Sequence, residues 1–317
     1  MEKRRIGSLE VSVVGLGCNN FGSRVDADAT AKVVEAALDA GINFFDTADI
    51  YGGTKSEEFL GPLFRPRRNE VVIATKFGMP VDGRRRGAKP DYVRRAVEES
   101  LRRLQTDRID LYQLHQPDPE TPIADTLGAL DDLVRAGKVR EIGCSNFSAD
   151  QIREAESVVQ KGAARFVSLQ NDYSLLRREP EREVLPECER RGLAFLPYFP
   201  LASGLLSGKY RRGQAPPAGG RLVAWERFRK VLTDQNLDTV ESLLQFATAR
   251  GHTILELAIS WLALRPVVAS VIAGATKPAQ VKANAAAAGW RLTAADLAAL
   301  DAIVPGPPEA VPGRPAS

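Results

Sequence analysis

Short apolar runs alternate with longer stretches whose apolar residues return about every three to four positions, and the alternation persists along most of the chain. Val13-Val14-Gly15-Leu16-Gly17 reads as a buried strand, with Gly-rich punctuation running on to Phe21-Gly22. Asp28 to Ala40 follows as an amphipathic helix, with Val33, Val34, Ala37 and Leu38 apolar and Gly41 as its stop. The unit then repeats. A strand from Ile42 to Asp46 precedes a helix from Ser56 to Phe64, and a strand from Val71 to Lys76 precedes a helix opened by Pro90 with Val93, Val97, Leu101 and Leu104 on one face. Further strands are predicted at Ile109–His115, Glu141–Asn146, Phe166–Asn171, Leu193–Phe199 and Val267–Gly274. Helices are predicted at Thr126–Arg135, Ala149–Gln160 and Glu181–Arg191, with two or three more before the last strand and one after it reaching Ala288. Ahead of all this, Lys3–Ile6 and Leu9–Val13 flank Gly7-Ser8 as a hairpin.

Strands separated by helices call for a parallel sheet. Eight such strands in 317 residues fit a closed (β/α)8 TIM barrel, with the hairpin closing its bottom. A doubly wound open sheet expects a GxGxxG turn at the first helix, but Gly15-Leu16-Gly17 continues as Cys18-Asn19-Asn20 and lacks the third glycine. One barrel domain over residues 1–304 and a flexible Pro-rich tail over residues 305–317 are expected.

Composition changes this picture little. The chain is 44% hydrophobic and 26% charged with a net charge of +3, which suits a soluble protein and gives nucleic-acid binding little support. Arg84-Arg85-Arg86 and Arg211-Arg212 read as solvated loops, with an anion or cofactor-phosphate contact as the alternative. Cys18, Cys144 and Cys188 are far apart and lack CxxC spacing, so reduced thiols are expected, with no zinc or disulfide framework. The charged start Met1-Glu2-Lys3-Arg4-Arg5 is not a signal peptide, and the apolar stretch Ile254–Ala273 is interrupted by Glu256, Arg265 and Pro266. A cytoplasmic location, with no membrane partner, is the expectation.

In a barrel, functional groups collect at the C-terminal ends of strands. Asp46, Lys76, His115, Asn146, Gln170 and Tyr198 all stand there, and Tyr51 follows the first of them by five residues. A phenol titrates near ~10, so proton exchange at neutral pH needs nearby positive charge to favour the phenolate. Lys76 can supply that charge.

Several of these segments resemble the aldo-keto reductase superfamily: Gly41-Ile42-Asn43-Phe44-Phe45-Asp46-Thr47-Ala48 with Tyr51-Gly52, Leu111-Tyr112-Gln113-Leu114-His115, Gly143-Cys144-Ser145-Asn146-Phe147 and Gly274-Ala275-Thr276-Lys277. The resemblance runs from Val11 to about Leu300. It implies a barrel that binds extended NADPH and reduces aldehydes and ketones to alcohols. The family's catalytic four fall on Asp46, Tyr51, Lys76 and His115. By that reading Tyr51 donates a proton to the carbonyl oxygen, Lys76 lowers its pKa, Asp46 holds Lys76 charged, and His115 orients the carbonyl.

The same resemblance puts Ser145, Asn146 and Gln170 at the nicotinamide carboxamide and Tyr198 against the nicotinamide ring. Leu201, Ser203, Gly204 and Leu206 wrap the pyrophosphate, where Gly and Ser allow close backbone approach. Gly274, Thr276 and Lys277 lead into a helix N-terminus suited to a 2′-phosphate, and Gln280 and Asn284 share a face toward the adenine. Some relatives carry arginine where Gln280 stands, so NAD is a weaker alternative to NADP. The loops Phe77–Lys89 and Tyr210–Arg229 and the tail are expected to shape the carbonyl pocket, and Arg211–Gly220 to fold over the cofactor; Phe21, Trp225 and Phe228 are candidates for apolar walls, with a core or surface role as an equal alternative for each. His252 is expected to be exposed. Two other functions compete: a Schiff-base lyase on Lys76, and a partner-binding protein like the superfamily's potassium-channel β subunits. No metal is expected, and the oligomeric state is left open.

Overall fold

A computed structural model describes residues 1–81, 86–217 and 220–307 of the chain. Arg84, Arg85, Ala218, Gly219 and the tail from residue 308 onward, which include part of the expected basic run, cofactor loop and flexible tail, lie outside the described residues.

Strands β1 (Lys3–Ile6) and β2 (Leu9–Ser12) form the predicted hairpin. Eight parallel strands follow: β3 (Val14–Gly17), β4 (Phe44–Asp46), β5 (Val72–Phe77), β6 (Ile109–Leu114), β7 (Val139–Ser145), β8 (Phe166–Asp172), β9 (Ala194–Tyr198) and β10 (Val271–Gly274). They pair in chain order, and β10 closes on β3, making a (β/α)8 barrel. Helices α1 (Ala27–Asp39), α2 (Lys55–Phe64), α3 (Pro90–Leu104), α4 (Ile123–Arg135), α5 (Ala149–Ser157) and α6 (Val184–Arg191) alternate with the strands. Between β9 and β10 come α7 (Arg221–Ala224), α8 (Glu226–Arg229), α9 (Asp234–Thr248) and α10 (Ile254–Ala263), and after β10 come α11 (Pro278–Ala286) and α12 (Ala294–Ile303).

Side chains alternate across each strand, and the alternation divides the buried residues into two sets. Phe44, Val72, Ala74, Leu111, Leu196, Ala269 and Ile272 fill the barrel interior, sealed from below by Ile6, Leu9 and Val11 of the hairpin. Their neighbours Phe45, Ile73, Phe77, Tyr112, Leu169 and Phe195 point outward and form the larger core beneath the helices. Each inward apolar residue of β4, β5 and β6 is followed two or four positions later by a polar one at the upper rim. That step puts Asp46, Lys76 and Gln113 above the apolar plug.

The structure moves several predicted boundaries. The last strand starts at Val271 instead of Val267, because Val267–Ala269 makes only an isolated bridge to Phe195. The helix predicted from Glu181 breaks into a 3₁₀ turn (Glu179–Glu181) and α6, with a non-helical φ of −137° at Glu183 between them. Helix α5 stops at Ser157, three residues early. His252 is half-buried, stacked on Trp290 with ring centroids 4.0 Å apart and its Nδ1 3.2 Å from Glu256. Arg211 and Arg212 are ion-paired with Glu241 and Asp238 of α9. The chain just before the expected tail is held, since Arg178 donates to the Val304 carbonyl and to Asp301 and pairs with Glu181. No helix among the described residues is long and apolar enough to cross a membrane.

Candidate active site

At the C-terminal mouth the loop after β4 doubles back over the barrel. Thr47 and Asp49 donate their N–H groups to the Ala74 and Lys76 carbonyls at 2.8 and 3.1 Å, extending the β4–β5 ladder by two rungs. The chain then turns at Gly52, where φ is +61° and an added Cβ would lie 2.3 Å from the Phe21 carbonyl oxygen. Only glycine fits a left-handed turn pressed so closely on a neighbouring backbone. Tyr51, the residue before it, is thereby directed into the mouth.

Lys76 is fully buried, and its ammonium has three partners: Asp46 Oδ2 at 2.7 Å, the Thr47 carbonyl at 2.9 Å and the Tyr51 hydroxyl at 3.4 Å. A lysine has three N–H donors, so this set uses them all. The other oxygen of Asp46 accepts from Gln170 Nε2 at 2.8 Å and Gln113 Nε2 at 3.4 Å. Burial by itself disfavours the charged lysine, but Asp46 and then Tyr51 outweigh it and raise its pKa above the ordinary value. For Tyr51 the balance goes the other way. Burial raises the phenol above its usual pKa of ~10, and the pull of Lys76 is too small to reverse it. Lys76 therefore acts in the expected direction without setting the net result.

His115 follows β6 and donates its backbone N–H to the Phe77 carbonyl at 2.9 Å. Its ring meets Tyr51 edge-on at 5.8 Å between centroids. Burial, reinforced by Lys76, pushes the imidazole well below the usual histidine range, so it is neutral. Nδ1 has no hydrogen-bond partner among the described residues.

Beside these four, Ser145 Oγ donates to the Gln170 carbonyl at 2.7 Å and Asn146 Nδ2 to the His115 carbonyl at 2.9 Å. Asn146 has a left-handed φ of +62° and accepts from the Tyr198 hydroxyl at 2.7 Å through Oδ1. Gln170 directs its amide N–H group to Asp46, leaving its side-chain oxygen for other partners. Leu201, Ser203, Gly204 and Leu206 lie in an irregular turn with positive φ at Ser203 (+58°) and Gly204 (+107°). At the far rim, Gln280 Oε1 accepts from both Thr276 N–H (2.8 Å) and Thr276 Oγ1 (3.1 Å), so Gln280 of α11 reaches back to the loop residue before the helix N-cap, Lys277. Lys277 is exposed with no salt bridge among the described residues, Gly274 is exposed, and Asn284 is buried.

Several nearby residues escaped the reading of the sequence. Gln113 is one; its inward parity, two residues before His115, was the available signal. Lys209, Arg24 and Arg221 form a cationic group beside the 201–206 turn, and burial first, then Arg24 and Arg221, lowers the Lys209 pKa. Arg221 donates to Asn20 Oδ1 at 2.7 Å, and Asn20 Nδ2 donates to the Ala275 carbonyl at 3.3 Å. These bonds tie the α7 segment to the loop before α11. Of the expected apolar walls, Phe21 is fully buried core, whereas Trp225 and Phe228 stack on each other and Phe228 meets Phe199 edge-on at 5.6 Å. The three cysteines are free and buried, and no cluster able to hold a metal occurs among the described residues.

Comparison with known proteins agrees with this geometry. The sequence profile described as the Aldo/keto reductase family matches residues 13–305. The Bacillus subtilis protein named Aldo-keto reductase YhdN is 34% identical, over 93% of this chain and 91% of its own. Aldo-keto reductase yakc [NADP(+)] of Schizosaccharomyces pombe is 35% identical, over 82% and 78%. A probable voltage-gated potassium channel subunit beta of Oryza sativa subsp. japonica is 35% identical, over 90% of each chain. With a closed parallel barrel, and similarity spanning nearly the whole sequence, the chain belongs to the aldo/keto reductase family.

Proposed function

We propose that this protein reduces the carbonyl of a small aldehyde or ketone to an alcohol using NADPH, with Tyr51 as proton donor. The observation that carries the reading is the buried Asp46–Lys76–Tyr51 chain. Because Lys76 donates to the Tyr51 oxygen, the phenol's own hydrogen is not used by Lys76 and is available to a carbonyl oxygen bound at the mouth. The phenol is neutral at physiological pH and so holds the proton that reduction consumes. As negative charge grows on the carbonyl oxygen, Tyr51 releases that proton, and the Lys76 ammonium stabilises the phenolate left behind. Neutral His115 can donate from a ring N–H to the same oxygen and fix its direction.

The donor set suits a dinucleotide phosphate. Lys209, Arg24 and Arg221 concentrate positive charge beside a turn whose left-handed residues expose backbone N–H groups, which favours phosphate there. Tyr198, Ser145, Asn146 and Gln170 would border the nicotinamide, with Gln170 offering its carbonyl oxygen because its amide nitrogen serves Asp46. Leu201, Ser203, Gly204 and Leu206 would enclose the pyrophosphate. Gly274, Thr276 and Lys277 would meet the 2′-phosphate, with Gln280 turning away from Thr276, and Asn284 would lie on the adenine side. When bound, NADPH supplies the hydride. Lys277 favours NADPH, and NADH is the weaker alternative. The name of the yakc relative carries the same cofactor.

Lyase chemistry through Lys76 is disfavoured, because Schiff-base formation needs a neutral amine and Asp46 keeps this one protonated. The test is a panel of aldehydes and ketones monitored by NADPH absorbance, with Lys76→Met as control. Turnover by the natural chain and its loss in Lys76→Met are expected. Borohydride trapping of substrate on Lys76, without NADPH oxidation, would establish the lyase instead.

A further inference from the structure

Behind the Tyr51–Lys76 pair, on the outer face of the barrel, lies a second group of buried polar side chains that the proposed reaction does not use. Thr75 and Tyr112 point outward, where Lys76 and Gln113 point inward. Glu57 of α2 is fully buried and accepts from Thr75 Oγ1 at 2.5 Å and Arg103 Nε at 2.7 Å. Gly61, one helical turn beyond Glu57, lets α2 approach α3 this closely. A Cβ there would lie 2.4 Å from the Arg103 carbonyl oxygen.

Asp49 connects this group to the proton donor. It is 2% exposed, its N–H donates to the Lys76 carbonyl at 3.1 Å, and Tyr51 follows two residues later. Asp49 Oδ1 and the Tyr112 hydroxyl are both buried without a hydrogen-bond partner among the described residues. Asp49 is also the charge that acts most strongly on the Tyr112 hydroxyl. Two buried polar atoms, each unpartnered and one acting electrostatically on the other, call for a common explanation.

We propose that Asp49 is a positioning residue for Tyr51: as an uncharged acid it shares a buried polar site with the Tyr112 hydroxyl and keeps the Tyr51 loop seated on β5, and as a carboxylate it unseats that loop. The inference rests on the reading of Tyr51 as proton donor. An uncharged carboxyl has an O–H to donate, and a tyrosine hydroxyl can both give and accept. An ionised Asp49 would instead add a second negative charge where Arg103 already serves Glu57, and an unpaired buried charge is costly. The groups that face Asp49 are Glu57 from α2, Arg103 and Glu99 from α3 and Tyr112 from β6, with Tyr92 of α3 next to Tyr112. Burial first, and then Glu57, push the Asp49 carboxyl up to about 8, against Arg103 and the Ile50 N–H. The acid is therefore uncharged at neutral pH and ionises within reach of an alkaline titration.

Asp49→Asn and Asp49→Ala separate this role from simple packing. Asparagine mimics the uncharged acid, so Asp49→Asn keeps kcat at neutral pH and lacks the fall in activity that the natural chain shows as Asp49 ionises. Asp49→Ala lowers kcat by ~10–100-fold at every pH, as loss of positioning does, while NADPH binding is unchanged. A readout free of turnover is NMR of carbon-labelled tyrosine, with the Tyr51 signal assigned by its absence in Tyr51→Phe. In the natural chain this signal moves as Asp49 titrates near pH about 8, and in Asp49→Asn it does not. A Tyr51 signal that stays fixed through that range, or the same alkaline fall in Asp49→Asn, overturns the proposal. If no carbonyl is reduced at all but the signal moves as described, the functional reading fails and the Asp49–Tyr51 link stands.

Discussion

Replacing Asp46 with asparagine tests the ion pair at the centre of the site. Lys76 Nζ lies 2.7 Å from Asp46 Oδ2, with the two side chains 0% and 4% exposed. At an effective dielectric constant of about 20, two unit charges at that separation attract by about 6 kcal/mol before desolvation is counted. The asparagine oxygen would stay with Gln170 and Gln113, which donate to Asp46 Oδ1. Its NH2 group would then face the ammonium, donor against donor. Removing one partner of a buried pair costs about 3–5 kcal/mol.

The sign of the pH dependence is more diagnostic than the size of the loss. In the natural chain Lys76 lies above its unfolded value of ~10.4, so its stabilisation is complete below that pH and is lost as pH rises through the folded value. In Asp46→Asn burial is opposed only by Tyr51 and the Thr47 carbonyl, and the lysine is expected to fall below the unfolded value. The folded state then sheds the proton first, and the stability of the variant relative to the natural chain recovers as pH rises toward ~10. Denaturant unfolding followed by circular dichroism at several pH values measures this difference, and kcat should fall by ~10² or more. A variant within about 1 kcal/mol of the natural chain at neutral pH, as for a solvent-exposed pair, would refute the reasoning.

Two further substitutions probe separate parts of the account. Lys277→Ala should weaken NADPH binding roughly tenfold more than NADH binding, since only the former carries the 2′-phosphate; equal losses in titrations of the two cofactors would remove Lys277 from that site. Gly61→Ala forces a Cβ to 2.4 Å from the Arg103 carbonyl oxygen and should destabilise the fold by about 1–3 kcal/mol in denaturant melts, with an unchanged midpoint as the contrary result.

The sequence showed its local regularities and concealed its long-range pairings. Strand parity and glycine stops were enough to place Asp46, Lys76 and His115 on one rim, because each element's period is written in about ten residues. Boundaries failed where local patterns compete with tertiary pairing. Val267–Ala269 is as apolar as any strand, yet only Val271–Gly274 pairs regularly with β3. Gln113 was missed although its parity with His115 gave its direction, because nothing near it in the sequence announces its partner, Asp46. The Asp49, Glu57, Arg103 and Tyr112 group joins a loop, two helices and a strand, and no periodicity links them. Net pKa directions were also out of reach. A lysine beside a phenol suggests a lowered pKa, but the burial that raises that of Tyr51 depends on the whole mouth.

The most direct test of the central claim is Tyr51→Phe, which removes one oxygen and leaves the ring. NADPH affinity is read by fluorescence titration, and the rate of hydride transfer to an aldehyde is read in a single turnover. The account predicts near-unchanged affinity and a rate lowered by ~10²–10⁴. A Tyr51→Phe enzyme that transfers hydride at the natural rate would contradict it.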